Sequence, residues 1–285
     1  MSKRFLLGLI GENIRASISP ALHEDALRAA GLSGHYQLFD LELHGETLLK
    51  TFESAKQAGL AGFNVTFPYK EAIIPMLDGL SPEARSMGAV NTVTVGADGF
   101  TTGYNTDSIG FLRGFEESIS ASGTVGKTVV LVGAGGAGRA VAFALMELGV
   151  ENLLVHDKDP RRASNLIADL TNLFGSRVGT LSQLDERVSA ADGVVNATPV
   201  GMSGIPGQAV PDELVGRQQW VADVIYTPIE TEFLKSAKAK GVAVMDGGGM
   251  CVHQAAESFR LFTGHTPDLQ RMHRLFRKRL AARES

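Results

Sequence analysis

Cysteine occurs once in the 285 residues, at Cys251, so no intrachain disulfide can form. A single thiol fits a reducing compartment, and the expected location is cytoplasmic. Cysteine and histidine nowhere fall at zinc-ligand spacing, so no metal is expected. Long apolar runs are missing as well; none approaches the roughly 20 residues that span a bilayer. Residues 5–10 run straight into Gly11-Glu12-Asn13 without a small-residue cleavage site, which reads as a buried first strand rather than a signal segment. A basic surplus is absent too. The formal net charge is −4, which argues against a nucleic-acid partner. Basic residues do gather near the C-terminus, from Arg271 to Arg283. There Met272, Leu275, Phe276 and Leu280 recur near helical spacing, so the charges read as the solvated face of a last helix.

What is present is a soluble globular composition, 44% hydrophobic and 20% charged, long enough for two ordinary domains. Its most specific stretch is Val129-Val130-Leu131-Val132-Gly133-Ala134-Gly135-Gly136-Ala137-Gly138-Arg139-Ala140. A β-branched run meets three glycines spaced G-x-G-x-x-G, and a helical pattern follows. Gly133 permits a tight turn, Gly135 lets backbone approach a pyrophosphate, and Gly138 lets helix pack on strand. The helix start offers unpaired N–H groups and a positive dipole end to phosphates. An acid, Asp157, follows the next apolar run, nineteen residues past Gly138. Strand before, helix after and acid beyond give the motif the context a dinucleotide site requires.

Strand and helix signals alternate along the whole chain, which predicts a mostly parallel sheet in each half. In the first half, strands are expected over 5–10, 35–41, 61–65, 90–95 and 100–104. The last two form a hairpin through Asp98-Gly99. Helices are expected over 19–30, 46–58 and 70–77, and from 107 to about 120. Residues 121–126, rich in glycine and serine, are the best linker candidate. A second series follows, with strands over 128–132, 152–157, 193–196, 220–224 and 242–245 and helices near 136–148, 161–173 and 231–240. Helices over 248–264 and 268–282 have no strand left to cover and are expected to return to the first domain. The expected division is a substrate domain, 1–110 with 250–285, and a nucleotide domain, 111–249.

Three polar clusters could carry chemistry. Ser17-Ile18-Ser19-Pro20 offers two hydroxyls where one cap suffices. Ser19 reads as the N-cap with Pro20 at the first helical position, which leaves Ser17 for a ligand. Asn64-Val65-Thr66-Phe67-Pro68-Tyr69-Lys70 ends a strand in an amide, a hydroxyl and a lysine. Ligands of open α/β sheets bind beyond such strand ends, although Lys70 by itself reads equally as a solvated surface lysine. The third cluster joins Gly88-Ala89-Val90-Asn91-Thr92 to Asn105-Thr106-Asp107. Helix-dipole stabilisation also explains Asp107, and turn chemistry also explains the two asparagines.

These clusters and the glycine loop are followed by Asn196-Ala197-Thr198-Pro199-x-Gly201-Met202, Asp223-x-x-Tyr226-x-Pro228-x-x-Thr231 and Gly247-x-Gly249-Met250-x-x-x-Gln254-Ala255. In that order, nearly end to end, the chain resembles the shikimate dehydrogenase family. The resemblance implies an α/β oxidoreductase of two domains, an N-terminal α/β substrate domain and a doubly wound Rossmann-like nucleotide domain. It implies reversible hydride transfer between a nicotinamide and C3 of shikimate or 3-dehydroshikimate, the chemistry of aromatic amino acid biosynthesis, with a catabolic role left open. By the same resemblance Lys70 and Asp107 are catalytic. Ser17, Ser19, Thr66, Lys70, Asn91, Asp107, Tyr226 and Gln254 bind substrate. Gly133, Ala134, Gly135, Gly136, Ala137, Asp157, Thr198, Val224, Gly247 and Met250 bind cofactor.

Many NADP-using members carry Asn-Arg-Thr after the second nucleotide strand, whereas this chain has His156-Asp157-Lys158-Asp159. The acid makes it resemble the NAD-using quinate/shikimate branch, so NAD is expected over NADP. Lys158, Arg161 and Arg162 are the counter-evidence, since they could clamp a phosphate. Ser108 replaces a glycine common in the family, with no chemistry expected to be lost. Quinate-using members often have threonine at the position of Ser19, so serine favours shikimate, with quinate left open. His23, His35, His44, His156, His253, His265 and His273 are alternative bases, but none lies in a strand-end polar cluster. A non-catalytic sensor of the same fold is the opposing reading. A folate-type methylene dehydrogenase is a third, disfavoured by the serine pair and by Asn105-Thr106-Asp107. Oligomeric state is not legible, and a homodimer is allowed.

Overall fold

The computed structural model describes residues 4–119 and 123–284. The chain divides into two compact units, Met1–Thr106 with Gln254–Ser285, and Asp107–His253. Both are α/β.

The first unit contains β1 (Arg4–Gly11), α1 (Ser19–Ala29), β2 (Ser33–Asp40), α2 (Leu41–His44), α3 (Leu48–Gln57), β3 (Gly62–Val65), β4 (Gly79–Leu80), α4 (Pro82–Met87), β5 (Thr92–Val95) and β6 (Thr101–Tyr104). Its sheet runs β2-β1-β3-β5-β6-β4. Strands β2, β1 and β3 are parallel, and β5 runs antiparallel to both β3 and its hairpin partner β6. Alternation along β1 explains the layering. Phe5, Leu7 and Leu9 join Leu27, Tyr36, Phe259 and Phe262 in one apolar cluster, whereas Ile10 joins Phe52, Phe63, Val65 and Val90 in another.

The second unit begins with α5 (Asp107–Ser118), β7 (Thr128–Val132), α6 (Gly136–Glu147), β8 (Asn152–His156), α7 (Pro160–Phe174) and β9 (Val178–Thr180). It continues with α8 (Glu186–Ala190), β10 (Gly193–Asn196), β11 (Trp220–Asp223), α9 (Glu232–Ala239) and β12 (Ala243–Met245). The helix α10 (Gly247–Thr263) starts in this unit, and α11 (Leu269–Glu284) lies in the first. Six strands, ordered β12-β11-β10-β7-β8-β9, are all parallel. Numbered within the unit this is the order 3-2-1-4-5-6 of a doubly wound dinucleotide fold. Val130, Val132, Val194 and Val221 pack against Phe233, Leu234 and Ala237 of α9. Helix α6 is buried on nearly every side, as its alanine-rich sequence permits.

Several expectations need correction. The helix over 70–77 is a turn followed by a single 3-10 turn at Ile74–Met76. Pro75 has no N–H to continue an α ladder, and the bonds fall back to three-residue spacing, Met76 N to Ile73 O and Leu77 N to Ile74 O. Residues 121 and 122 of the expected linker lie outside the described residues. Of the rest, Thr124 is buried with its hydroxyl donating to Leu148 O at 2.7 Å, and Val125 bridges Val150, so this stretch is part of the second unit. The boundary falls at Thr106/Asp107 instead. Short elements β4, α4, β9 and α8 were not foreseen, being too brief to show a period.

His23 of α1 carries a consequence for stability. It is 1% exposed, stacked on Tyr36 at 4.7 Å, and its Nδ1 has no hydrogen-bond partner among the described residues. Burial pushes its pKa down to about 3, against roughly 6.5 in an unfolded chain. Between those values the unfolded state binds a proton that the native state refuses, so stability is lost as pH falls below about 6.5. We expect His23→Phe to remove about 2 kcal/mol of the stability difference between pH 7.5 and pH 5, measured by urea unfolding. Equal pH sensitivity in both proteins would show that His23 does not titrate on unfolding.

Candidate functional site

In the first unit three chain segments meet at the carboxyl ends of β1 and β3. Leaving β1, the chain is held by Asp40 at the end of β2, whose carboxylate accepts from Asn13 N at 3.2 Å and Ile14 N at 3.1 Å. Asn13 takes φ 55, a left-handed conformation that asparagine tolerates and these bonds favour. The segment then reaches Ser17 and Ser19. Here the structure reverses their expected roles. Ile18, not Ser19, is the N-cap residue, and Pro20 is the second residue of the helix rather than the first. Ser17 Oγ accepts from Ser19 N at 3.2 Å and lies 3.1 Å from Ser19 Oγ. The serine expected to be free of the backbone is the one that bonds to it, because Ile18 has already turned helical, with ψ −10.

The second segment leaves β3 through Thr66 and Lys70. Thr66 N donates to Ile10 O, and Glu12 N donates to Phe67 O, which ties this turn to the serine loop. Tyr69 donates to Glu12, and burial with that carboxylate pushes the phenol up to about 12. The third segment carries Asn91. Val90 N donates to Lys70 O at 2.8 Å and Val65 N to Asn91 O at 2.8 Å, so Lys70 and Asn91 are backbone neighbours. Gln254, on α10, joins through Ser258, whose hydroxyl donates to Gln254 O at 2.9 Å. Ser17, Ser19, Thr66, Lys70, Asn91 and Gln254 thus belong to the first unit, whereas Asp107 and Tyr226 belong to the second.

In the second unit the glycine loop leaves β7 between β8 and β10. Gly133 takes φ +105, and a Cβ there would sit 2.8 Å from Ala197 C. A Cβ on Gly138 would sit 1.9 Å from Gly133 O, so helix and strand meet closer than any side chain allows. Gly135 is different: φ −76 suits any residue, and only Arg162 Nη1 lies within 4.0 Å of its Cβ position. No side chain among the described residues caps α6, so its first N–H groups are open to an anion. Asp157 holds the loop from beside, its two oxygens accepting from Ala134 N at 2.7 Å and Asp159 N at 2.8 Å. Asp159, not Asp157, caps α7, and Arg161 and Arg162 are exposed in its first turn.

The loops after β10 and β11 complete this half. Asn196 Oδ1 accepts from Thr198 N at 2.9 Å, and its amide donates to Asp223 at 3.1 Å. Asp223 also accepts from Ile225 N at 3.0 Å and Thr231 Oγ1 at 2.8 Å. Burial raises this carboxyl to about 6, opposed by those three bonds. Gly247 N donates to Ile225 O, and a Cβ on Gly247 would lie 2.3 Å from Val224 O. Met250 packs where Gly114 of α5 leaves no room for a side chain, which fixes the helix that begins with Asp107. The expected cofactor residues Gly133, Ala134, Gly135, Gly136, Ala137, Asp157, Thr198, Val224, Gly247 and Met250 therefore all lie in the second unit. Asn196 and Asp223 were overlooked as organisers. Their signal was a polar residue closing a run of three apolar ones.

The loop's steric limits separate its glycines by experiment. Gly138→Ala should lower Tm by at least about 5 °C, from roughly 2 kcal/mol of overpacking. Gly135→Ala should leave Tm unchanged and weaken dinucleotide binding at least about tenfold by calorimetry, or about 1.4 kcal/mol. Retained affinity in the folded Gly135→Ala protein would remove the pyrophosphate from this loop.

Comparison with known proteins agrees with both halves. Residues 9–93 match a shikimate dehydrogenase substrate binding domain, 117–214 match shikimate/quinate 5-dehydrogenase, and 247–275 match a shikimate 5'-dehydrogenase C-terminal domain. A quinate/shikimate dehydrogenase (NAD(+)) of Corynebacterium efficiens is 46% identical over 277 residues, covering 95% of this chain and 97% of that protein. The structure of quinate dehydrogenase from Corynebacterium glutamicum in complex with NAD superposes with TM-score 0.89 at 44% identity, covering 97% of this chain and 100% of that one. That of shikimate 5-dehydrogenase from Thermus thermophilus, in complex with NADP(H) and shikimate, gives TM-score 0.84 at 39% identity and the same coverage.

Proposed function

Because this chain belongs to the shikimate/quinate dehydrogenase family, we propose that it oxidises shikimate at C3 reversibly, with NAD as cofactor and quinate as a second substrate. The observation that carries this reading is the joining of the Ser17, Lys70 and Asn91 segments by backbone bonds at the strand ends of the first unit. Shikimate is a small ring with one carboxylate and three hydroxyls. Ser17 and Ser19 suit the carboxylate without adding a buried charge, and Thr66, Asn91, Tyr226 and Gln254 suit the ring oxygens. A site that pairs each hydroxyl rejects an analogue lacking one, because a buried polar group is left unpaired. Quinate differs by a hydroxyl beside the carboxylate, where the serine pair would meet it.

When bound, NAD supplies the carbon that accepts the hydride. The chain's own part is to hold the alcohol and take its proton, and we assign that proton transfer to Lys70 Nζ with Asp107 as its partner carboxylate. In reverse the same lysine returns the proton. As cation it also stabilises alkoxide character on the substrate oxygen. The sensor reading gains no support, since the relatives are dehydrogenases and both groups the chemistry needs are present. No helix among the described residues is long and apolar enough to cross a membrane. With one cysteine we place the enzyme in the cytoplasm.

Two experiments test this reading. Lys70→Ala should lower kcat about 10²–10⁴-fold with Tm unchanged. More than a third of wild-type kcat would overturn the assignment. The second crosses shikimate and quinate with NAD and NADP, followed by nicotinamide absorbance. We expect kcat/KM at least about tenfold higher with NAD, equivalent to about 1.4 kcal/mol. Asp157→Asn, which keeps an acceptor for Ala134 N but removes the charge, should narrow that ratio by improving NADP use. A wild-type preference for NADP would assign control to Lys158, Arg161 or Arg162.

A further inference from the structure

Behind Asn91 lies a knot of three hydroxyls to which the reading so far gives no role. Thr92 Oγ1, on β5, is 2.9 Å from Ser258 Oγ, on α10, and 3.3 Å from Thr106 Oγ1. Ser258 Oγ is 3.1 Å from Thr106 Oγ1, which closes the triangle. All three residues are buried, in a unit whose surrounding core is aliphatic and aromatic. The knot is anchored on one side by Asn64, whose amide lies 3.0 Å from both Thr92 Oγ1 and Ser258 Oγ. Asn64 is itself oriented by Tyr36, whose hydroxyl donates to Asn64 Oδ1 at 2.8 Å.

On its other side the knot grips Asn91. Asn91 Oδ1 accepts from Thr106 N at 2.8 Å and from Thr92 Oγ1 at 2.9 Å. Those two donors suffice for both lone pairs of the carbonyl oxygen, and Thr106 Oγ1 lies farther from it, at 3.2 Å. Asn91 Nδ2 donates one hydrogen to Thr106 Oγ1 at 3.0 Å. Its second hydrogen has no partner among the described residues. A flipped amide would put Nδ2 against Thr106 N, donor against donor. The knot therefore permits one orientation, carbonyl inward, with a single N–H left over.

We propose that Thr92 and Ser258 are positioning residues that hold Asn91 as a one-donor contact for a ring oxygen of the substrate. A lone donor suits an alcohol or a ketone oxygen equally, which a reversible reaction requires of any group near the changing centre. Through the Ser258–Gln254 bond the same knot sets the backbone of α10 one turn before it. The inference rests on Asn91 being a substrate contact, as assigned above.

The test uses two changes at Thr92. Thr92→Val keeps the shape and removes the hydroxyl; Thr92→Ser keeps the hydroxyl and removes the methyl. We expect Thr92→Val to raise KM for shikimate at least about tenfold while KM for NAD stays within about twofold. Thr92→Ser should return KM for shikimate to near wild type even where its Tm is the lower of the two. In an Asn91→Ala background Thr92→Val should cost nothing further, since the two act through one contact. Should Thr92→Val fail to fold, Thr92→Ala takes its place. Unchanged KM for shikimate in the folded variants, with Tm alone lowered, would reduce the knot to a core feature. The Lys70→Ala protein assayed beside them separates the two ideas. Dead Lys70→Ala with unchanged Thr92→Val overturns the positioning role alone, and active Lys70→Ala overturns the catalytic assignment.

Discussion

A parallel strand delivers its chain to the rim of the sheet with backbone N–H groups that no ladder can pair, and buried donors must be paired. Both units meet this constraint in the same way. A short polar side chain on the neighbouring strand end accepts from the loop that starts beside it. Asp40 does so for the loop after β1, Asp157 for the loop after β7, and Asn196 and Asp223 for their own following turns. Strand register makes this possible, since Gly11 pairs with Asp40, Val132 with His156, and Asn196 with Asp223. Each of these four loops is thus fixed by a side chain at a strand end before any ligand is considered. Losing one such acceptor would strand a buried donor, at about 1–3 kcal/mol.

The two units solve the deeper part of this problem with different chemistry. In the second, Asp223 is a fully buried carboxyl, and burial raises it to about 6 against three hydrogen bonds that favour its ionised form. In the first, the most deeply buried polar cluster is built of amides and hydroxyls: Asn64, Asn91, Thr92, Thr106 and Ser258. Neutral groups are cheaper to bury than charges provided each finds a partner. That choice keeps formal charge out of the wall behind Asn91 and reserves it for Lys70, which is partly exposed.

What could be read beforehand was whatever depended on a few consecutive residues. The glycine loop was legible because each glycine answers a local steric demand, as the 1.9 Å approach at Gly138 illustrates. The clusters around Lys70 and Asn91 were legible because amides and hydroxyls at strand ends stand out against apolar runs. The roles of Ser17 and Ser19 were exchanged because helix entry at Ile18 depends on the preceding loop, which Asp40 holds from another strand. The hydroxyl knot was invisible for the same reason carried further. Asn64 and Ser258 are 194 positions apart, and a serine on an amphipathic helix gives no sign that it is buried among polar partners.

The double bonding of Asp157 also changes how its selectivity works. A lone carboxylate at the end of a strand could rotate away from a 2′-phosphate and let a nearby arginine take over. Here one oxygen is bound to Ala134 N and the other to Asp159 N, so rotation would strand two backbone donors. In the proposed cofactor site, ribose hydroxyls would donate to the remaining lone pairs. A phosphate would have to approach a carboxylate that cannot retreat. Repulsion against the wrong cofactor is then a property of the loop's hydrogen bonding as much as of the acid itself. That restraint is the ground on which the proposal ranks Asp157 above Lys158, Arg161 and Arg162, all three of which are exposed.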